Sequence, residues 1–197
     1  MVKSKSHSLS RLIYVSGGCR SGKSIYAQEL AESLPGRRAY LATCPQIDEE
    51  MDQRIERHQQ QREKKGWETI EVPLELSAAI IQTKDFDVLL IDCLTLWINN
   101  LLYQVEQDGG SLTEQQIGER CCELVKICRQ RGQTVIFVTN ELGLGLVPAD
   151  PLSRHYRDCL GRCNQTIAKL ADEAVFMVSG IPLILKEPGS NECGFIE

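Results

Sequence analysis

Eight consecutive residues near the start of the chain have the types and spacing of a phosphate-binding loop. Gly17-Gly18-Cys19-Arg20-Ser21-Gly22-Lys23-Ser24 fits the pattern G-x-x-x-x-G-K-[ST]. An apolar run at 12–15 predicts a strand before the loop, and helical apolar spacing over 25–31 predicts a helix after it. Backbone N–H groups and the helix N-terminus would face a polyphosphate. Because Lys23 would reach the β- and γ-phosphates and the Ser24 hydroxyl would bind Mg²⁺, the sequence predicts nucleotide binding.

An acidic residue ends one of the predicted strands. Val88-Leu89-Leu90-Ile91-Asp92 is a continuous apolar run closed by a carboxylate, which is typical of a parallel strand buried on both faces. We expect this strand beside the phosphate loop, with Asp92 holding Mg²⁺ directly or through water. The alternative is an aspartate that only caps a turn.

A highly charged segment at 48–64 is predicted to be helical. Arg54, His58 and Arg62 recur every four residues and would share one face. Two guanidinium groups beside an imidazole can hold a polyphosphate, and neutral imidazole can attack phosphorus. From the pattern alone, a solvated helix face with an incidental histidine is the more common explanation. The small-GTPase motif N-K-x-D is absent, because Thr139-Asn140-Glu141-Leu142 lacks its lysine and aspartate.

Strand and helix patterns alternate along the chain and predict one α/β domain with a mostly parallel sheet covered on both faces. Two closing strands at 174–178 and 182–185 are separated by a short turn, so the C-terminal edge should be antiparallel. Thr113 with Gln116 predicts a capping box, and Asp150-Pro151 predicts another helix start. We divide the chain into a flexible lead at 1–10, a single domain at 11–187 and a tail at 188–197.

Composition narrows the class of protein. The 197 residues are 42% hydrophobic and 25% charged, as in globular proteins, and the formal net charge of −5 argues against a nucleic-acid partner. We find neither a membrane span nor a signal peptide in the sequence, and we expect a cytoplasmic protein. The nine cysteines lack zinc-site spacing and predict reduced thiols packed as small apolar groups. Cys19 and Cys44 are the exceptions, because both should lie near bound phosphate.

Ordered blocks from about residue 12 to 186 resemble the bifunctional adenosylcobinamide kinase/adenosylcobinamide-phosphate guanylyltransferase family of cobalamin nucleotide-loop assembly. The phosphate loop matches the family pattern G-G-x-R-S-G-K-S, and Arg54-Ile55-Glu56-Arg57-His58 matches R-I-x-x-H. The other matching blocks are Leu41-Ala42-Thr43, Glu50-Met51-Asp52-Gln53, Trp67-Glu68-Thr69-Ile70-Glu71, Val138 to Pro148, Arg157 to Gln165, Ala171-Asp172-Glu173 and Ser179-Gly180.

The resemblance implies a P-loop, RecA-like three-layer fold and two reactions. The protein would phosphorylate adenosylcobinamide with ATP or GTP, then transfer GMP from GTP through a phosphoramidate on His58, releasing pyrophosphate. Lys23 and His58 would be catalytic, with Mg²⁺ held by Ser24 and Asp92, partly through water. The nucleotide contacts carried over are Gly17, Gly18, Cys19, Arg20, Ser21, Gly22, Lys23, Ser24, Ala42, Thr43, Cys44, Arg54, Gln59, Gln60, Gln61, Arg62, Glu71 and Asp92.

The resemblance also implies a homotrimer and a corrinoid substrate. The chain departs from the family pattern at Glu63-Lys64-Lys65-Gly66, where a proline is usual, and at Cys44, where small residues are common. Two alternatives stay open at this point. One is a P-loop kinase or ATPase for another small metabolite, and the other is a nucleotide-gated regulatory module without transfer chemistry. The identity of the kinase donor, ATP or GTP, also stays open.

Overall fold

The computed structural model describes residues 10–45 and 64–189. Its strands are β1 (Arg11–Gly17), β2 (Arg38–Ala42), β3 (Trp67–Glu71), β4 (Val88–Asp92), β5 (Thr134–Asn140), β6 (Glu173–Val178) and β7 (Ile181–Lys186). Its helices are α1 (Lys23–Ser33), α2 (Leu76–Gln82), α3 (Leu94–Gln107), α4 (Glu114–Arg131) and α5 (Pro151–Leu170). The predicted helix at 48–64 lies almost wholly outside the described residues, as do positions 1–9 of the lead and 190–197 of the tail.

The seven strands form one sheet in the order β3-β2-β4-β5-β1-β6-β7. Strands β1 to β6 pair in parallel, and β7 pairs antiparallel with β6. The predicted mostly parallel sheet with an antiparallel C-terminal edge is therefore confirmed. The carboxyl ends of the parallel strands meet at one edge of the sheet, which is where ligands bind in open α/β folds.

Helices cover both faces of the sheet, which gives three layers. Side chains that alternate along each strand enter two cores: Leu12 and Tyr14 join the larger one, whereas Ile13 and Val15 join the smaller. The larger core is completed by α2 to α5, and the smaller by Ala27 and Ala31 of α1. This two-sided burial explains why the central strands read as continuous apolar runs.

Helix starts agree with the local signals in the sequence. Thr113 and Gln116 make the predicted reciprocal capping box of α4, with Gly132 in the left-handed conformation at its end. Asp150 caps α5, where Pro151 occupies the first turn. Helix α2 was not predicted, because its seven residues are too short to show a clear helical period.

Two sequence expectations need correction. The strand that ends at Asp92 does not lie beside the phosphate-loop strand, because β5 is inserted between β4 and β1. The second concerns α5, where the helical spacing of Leu152, Tyr156, Cys159, Cys163, Ile167 and Leu170 predicts one apolar face. Cys159, Cys163 and Ile167 are buried, but Leu152 at the start of the helix is exposed, so the buried face is shorter than predicted. Across residues 10–45 and 64–189 we find no helix of the length and apolarity that crossing a membrane requires.

Candidate active site

The phosphate loop connects the end of β1 to the start of α1. Ser21 N–H donates to the Gly18 carbonyl over 3.3 Å, and Tyr26 N–H donates to Gly22 over 2.9 Å as the helix begins. Gly22 is the N-cap in the left-handed conformation, with φ 93°. The loop thus turns the chain so that the first N–H groups of α1 face outward at the carboxyl edge. This geometry fits an anion-binding helix N-terminus.

Close packing explains why two positions of the loop are glycine. A Cβ atom on Gly17 would stand 2.6 Å from the Met177 carbonyl oxygen, and one on Gly22 would stand 3.2 Å from the Cα atom of Gly180. The tight turn at Ser179 and Gly180 joins β6 to β7, and Gly180 N–H donates to the Ser21 carbonyl over 2.9 Å. The β6–β7 turn therefore supports the phosphate loop from the far end of the sequence.

Lys23 and Ser24 occupy the first turn of α1. The Lys23 ammonium group donates to the Gly18 carbonyl over 3.1 Å, so it already lies across the loop that would hold the phosphates. Ser24 is exposed, whereas the Ser21 hydroxyl is buried and has no hydrogen-bond partner within the described part of the chain. A buried polar atom without a partner at this position is suited to a ligand that supplies one.

Asp92 lies two strands away from the loop but at the same edge of the sheet. Its Oδ2 atom accepts a hydrogen bond from the Tyr40 hydroxyl over 3.0 Å. Helix α1 packs against β4 and β5, which brings Lys23 into electrostatic range of Cys93, the residue after Asp92. Burial raises the pKa of the Cys93 thiol to about 11, so this group is a neutral thiol beneath the site.

Thr43 holds the segment after β4 in place. Its hydroxyl oxygen donates to the Cys93 carbonyl over 2.7 Å and accepts from the Cys93 N–H over 2.8 Å. The Thr43 N–H donates to the backbone carbonyl of Asp92, and the Thr43 carbonyl accepts from the side-chain amide of Asn100. Since Thr43 is fully buried and its polar groups are used internally, it positions Asp92 and Cys93. Its nucleotide contact stays a prediction.

Three further candidates, Ala42, Cys44 and Glu71, lie toward the other end of the same edge. Ala42 is in register with both Asp92 and Glu71, so these three residues are neighbours across β4, β2 and β3. Glu71 is nevertheless four strand spacings from β1, which is about 19 Å. A nucleotide with phosphates on the loop would have to extend along the edge to reach Glu71. Cys44 is partly buried beside this end, and Cys19 is exposed in the loop.

A buried polar network stabilises the end of β5, next to the phosphate loop. Thr139 donates to the Asn164 Oδ1 atom over 2.8 Å, and Asn164 Nδ2 donates back to the Asn140 carbonyl over 3.0 Å. The Thr95 hydroxyl accepts from the Asn140 N–H over 2.7 Å. Sequence reasoning missed Asn140, which is in register with Gly17 and whose buried Oδ1 atom has no partner in the described structure. The polar triplet Thr139-Asn140-Glu141 at the end of a buried strand was the available signal.

The candidate residues of the predicted charged helix are not among those that the structure describes. Arg54, His58, Gln59, Gln60, Gln61 and Arg62 all lie outside the described residues. His155 is described, and its Nε2 atom lies 2.9 Å from the Leu112 carbonyl. A carbonyl oxygen only accepts, so Nε2 carries the proton and is not a free nucleophile. Within residues 10–45 and 64–189, no group of three or more His, Cys, Asp or Glu side chains is arranged to hold a metal.

Most of the described cysteines pack as apolar groups, as expected for those on helix faces. Cys121, Cys128, Cys159 and Cys163 are buried in the larger core between α4 and α5. Burial raises the pKa of Cys128 to about 12 and that of Cys159 to about 11, so both are protonated at neutral pH. Cys122 faces solvent.

These features define the class of fold to which the protein belongs. A glycine-rich loop between β1 and α1, on a parallel sheet with an acidic residue at the end of β4, is a P-loop nucleotide-binding fold of the RecA-like type. A family model described as cobinamide kinase / cobinamide phosphate guanyltransferase (CobU) matches residues 13–185. The chain therefore belongs to this family, as its sequence blocks predicted, and it is an enzyme of the transferase class.

Curated relatives are similar in sequence to this chain over most of its length. The bifunctional adenosylcobalamin biosynthesis protein CobU of Salmonella typhimurium is 38% identical over 184 residues, covering 89% of this chain and 99% of the relative. CobU of Escherichia coli is 37% identical over 182 residues, with the same coverage. CobP of Pseudomonas aeruginosa, of the same description, is 40% identical over 171 residues, covering 86% of this chain and 94% of the relative.

Proposed function

We propose that this protein phosphorylates adenosylcobinamide with ATP or GTP and then transfers GMP from GTP to the product, giving adenosylcobinamide-GDP and pyrophosphate. The observation that carries the proposal is a fully formed phosphate loop with Lys23 across it, in a chain matched to this family from residue 13 to 185. Family membership and relatives named as bifunctional support the second activity.

In the kinase step, the aminopropanol hydroxyl oxygen forms a bond to the γ-phosphorus while the bond to the β,γ-bridging oxygen breaks. The nucleoside diphosphate leaves, and the hydroxyl proton is lost to solvent. Lys23 and the N–H groups at the start of α1 would neutralise charge on the transferred group. The buried Ser21 hydroxyl and Asn140 amide oxygen at the same edge would orient the polar groups that arrive there.

Mg²⁺ fits the oxygen donors at this edge. The exposed Ser24 hydroxyl and the Asp92 carboxylate, oriented by Tyr40, would hold it, partly through water. When bound, Mg²⁺ supplies positive charge that offsets the charge of the phosphates.

In the guanylyl step, we propose that an imidazole nitrogen of His58 attacks the α-phosphorus of GTP and that pyrophosphate leaves. A phosphate oxygen of adenosylcobinamide phosphate then attacks the same phosphorus, and the histidine leaves. The R-I-x-x-H match at 54–58 supports this assignment. Two successive transfers allow one enzyme to handle two large substrates in turn.

We further propose a cytoplasmic homotrimer, which the family resemblance implies. Strand β7 is an edge strand whose side chains Ile181, Leu183, Ile184 and Leu185 are all exposed. Exposed apolar edge strands are unusual in isolated chains, so association with further copies would cover this one.

Labelling with [α-³²P]GTP tests the proposal. The wild-type protein should keep label through denaturation, and the bond should be labile to acid and stable to alkali. His58→Asn should remove the label, whereas the matched control His155→Asn should keep it. Retention of the label by His58→Asn would contradict the assignment of His58, and its loss in His155→Asn would then point to His155. Absence of label in the wild type would favour a kinase of another metabolite or a regulatory module.

Lys23→Ala tests the kinase half separately. Loss of the ammonium group should lower adenosylcobinamide phosphorylation by roughly 100-fold or more. Its thermal midpoint should stay near that of the wild type, because alanine is well tolerated at the start of a helix. Near-normal phosphorylation by this variant would show that the loop does not carry the kinase reaction.

A further inference from the structure

The loop that follows β5 exposes an apolar surface beside the phosphate loop. Leu144 and Leu146 have relative exposures of 80% and 97%, and Val147 and Leu152 are also largely exposed. Leaving such side chains in water forfeits the free energy that burial would gain, so a cluster of them indicates a binding surface. We call residues 142–147, with Leu152, the leucine platform.

The leucine platform begins directly at the nucleotide site. Glu141 N–H donates to the Gly17 carbonyl over 3.1 Å, so the first residue after β5 is bonded to the first residue of the phosphate loop. Leu142 follows immediately. The platform therefore starts at the residue that is hydrogen-bonded to the phosphate loop.

The platform is held by its backbone, which leaves its side chains available. The Arg157 guanidinium donates to the Leu146 carbonyl over 3.2 Å, and Arg154 donates to the carbonyl of Pro148 over 3.0 Å and to that of Ala149. Both arginines project from α5. Glycines alternate with leucines over 142–146, so little side-chain bulk stands between the leucines. The loop is thus held by backbone hydrogen bonds while Leu144 and Leu146 stay exposed.

We propose that the leucine platform binds the corrin ring of the substrate during phosphoryl transfer. This inference rests on the proposed function. The hydroxyl that receives the phosphate is at the end of a side arm, so the ring must sit an arm's length from the γ-phosphate. A platform that starts at the phosphate loop satisfies that requirement. A broad macrocycle carrying methyl groups matches an apolar surface interrupted by glycine.

The small extent of the platform favours the corrin ring over a second copy of the chain. A stable protein interface needs about 800 Å² from each partner. The apolar side chains here belong to one short loop between Glu141 and Asp150 and to Leu152 just beyond it on α5, whereas β7 offers a longer apolar face to another copy.

The test uses Leu144→Ser, Leu146→Ser and the double variant in the full chain. Ile81→Ser is the matched control, because Ile81 is an exposed aliphatic residue on α2, outside the phosphate edge. Adenosylcobinamide binding is measured by equilibrium dialysis, using the absorbance of the corrin. We also measure the KM for adenosylcobinamide, the Kd for GTP and the sedimentation coefficient of each variant.

We expect the double variant to raise the Kd and KM for adenosylcobinamide about tenfold or more, with GTP binding and sedimentation unchanged. Leu146→Met should keep most of the corrinoid affinity that Leu146→Ser loses, since methionine keeps the apolar contact. Unchanged corrinoid binding in the double variant would overturn the proposal. Dissociation into smaller species would also overturn it, by showing that another copy covers the platform. A wild type that binds the corrinoid without phosphorylating it would contradict the proposed function instead.

Discussion

Single residues at the phosphate edge act through close contacts. Gly22 combines two demands: its φ of 93° favours glycine, and its α-carbon faces the backbone of Gly180. Tyr40 orients Asp92 through one hydrogen bond, and Thr43 fixes the backbone on the other side of that carboxylate. The positions of Asp92 and Cys93 therefore depend on hydrogen bonds from neighbouring strands and loops.

Gly22→Ala should weaken nucleotide binding more than it weakens the fold. The left-handed conformation with a Cβ costs about 1–2 kcal/mol, and that Cβ would press on Gly180 and displace the loop. We expect the Kd for GTP to rise about tenfold. Gly66→Ala is the control, because Gly66 has a φ of 78° with open space around it. It should lower the thermal midpoint while leaving GTP binding intact; equal GTP affinities in the two variants would contradict the role given to the Gly180 contact.

Elements separated in sequence are joined at the edge by buried polar side chains. Asn164 on α5 connects to β5 through the Thr139 hydroxyl and the Asn140 carbonyl, and Tyr156 on the same helix donates to the Thr95 carbonyl over 3.1 Å. Because these groups are buried away from water, leaving any of them without a hydrogen bond would cost free energy. Helix α5 is thus oriented by hydrogen bonds in addition to its apolar face.

Asn164→Ala should destabilise the protein by about 2–3 kcal/mol, because it removes two hydrogen bonds at a buried site. The Asn140 carbonyl loses the Asn164 amide, and the Thr139 hydroxyl keeps only its 3.3 Å contact with the Thr95 hydroxyl. The free energy of unfolding in urea measures the loss. Gln165→Ala, at the exposed neighbouring position, should change it by less than about 0.5 kcal/mol. Equal effects of the two substitutions would show that the network contributes little.

Residues at the start of β1 are joined to α4 and to the start of β6 by hydrogen bonds and an ion pair. Arg129 on α4 donates to the Ser10 carbonyl and to both oxygens of Asp172, and Asp172 also accepts from the Leu12 N–H over 2.7 Å. Arg11 pairs with Glu173 nearby. Partial burial raises the pKa of Asp172, but the hydrogen bonds from Arg129 and Leu12 outweigh it and hold that pKa below its usual range.

This arrangement makes stability depend on pH with a defined sign. A carboxyl whose pKa is lower in the folded state stabilises the fold above its unfolded value of about 4, and this stabilisation is lost as the pH falls through the folded-state pKa. Asp172→Asn should therefore lower the free energy of unfolding by about 1–2 kcal/mol at pH 7, discounted for partial exposure. The difference from wild type should shrink below about pH 4. A difference that stays constant at all pH values would contradict the linkage.

The sequence by itself determined the local features of this protein. Glycine spacing with Lys23 and Ser24 specified the phosphate loop, and apolar periods, caps and turn residues specified most strands, the helix starts and the closing hairpin. These signals are local because φ preferences and side-chain periods act over a few neighbouring residues. The blocks of family resemblance added the family, which the comparisons confirmed.

The tertiary structure decided which distant residues meet. The insertion of β5 between β1 and β4, the burial of Thr43 against Cys93 and the support of Ser21 by Gly180 join positions about 50 to 160 residues apart. Strand order and buried hydrogen bonds depend on how whole helices and strands pack, which no local period records. The apolar run at 88–91 predicted that Asp92 ends a strand. Only the packed sheet places that strand end two strands from β1, with the Tyr40 hydroxyl hydrogen-bonded to the Asp92 carboxylate.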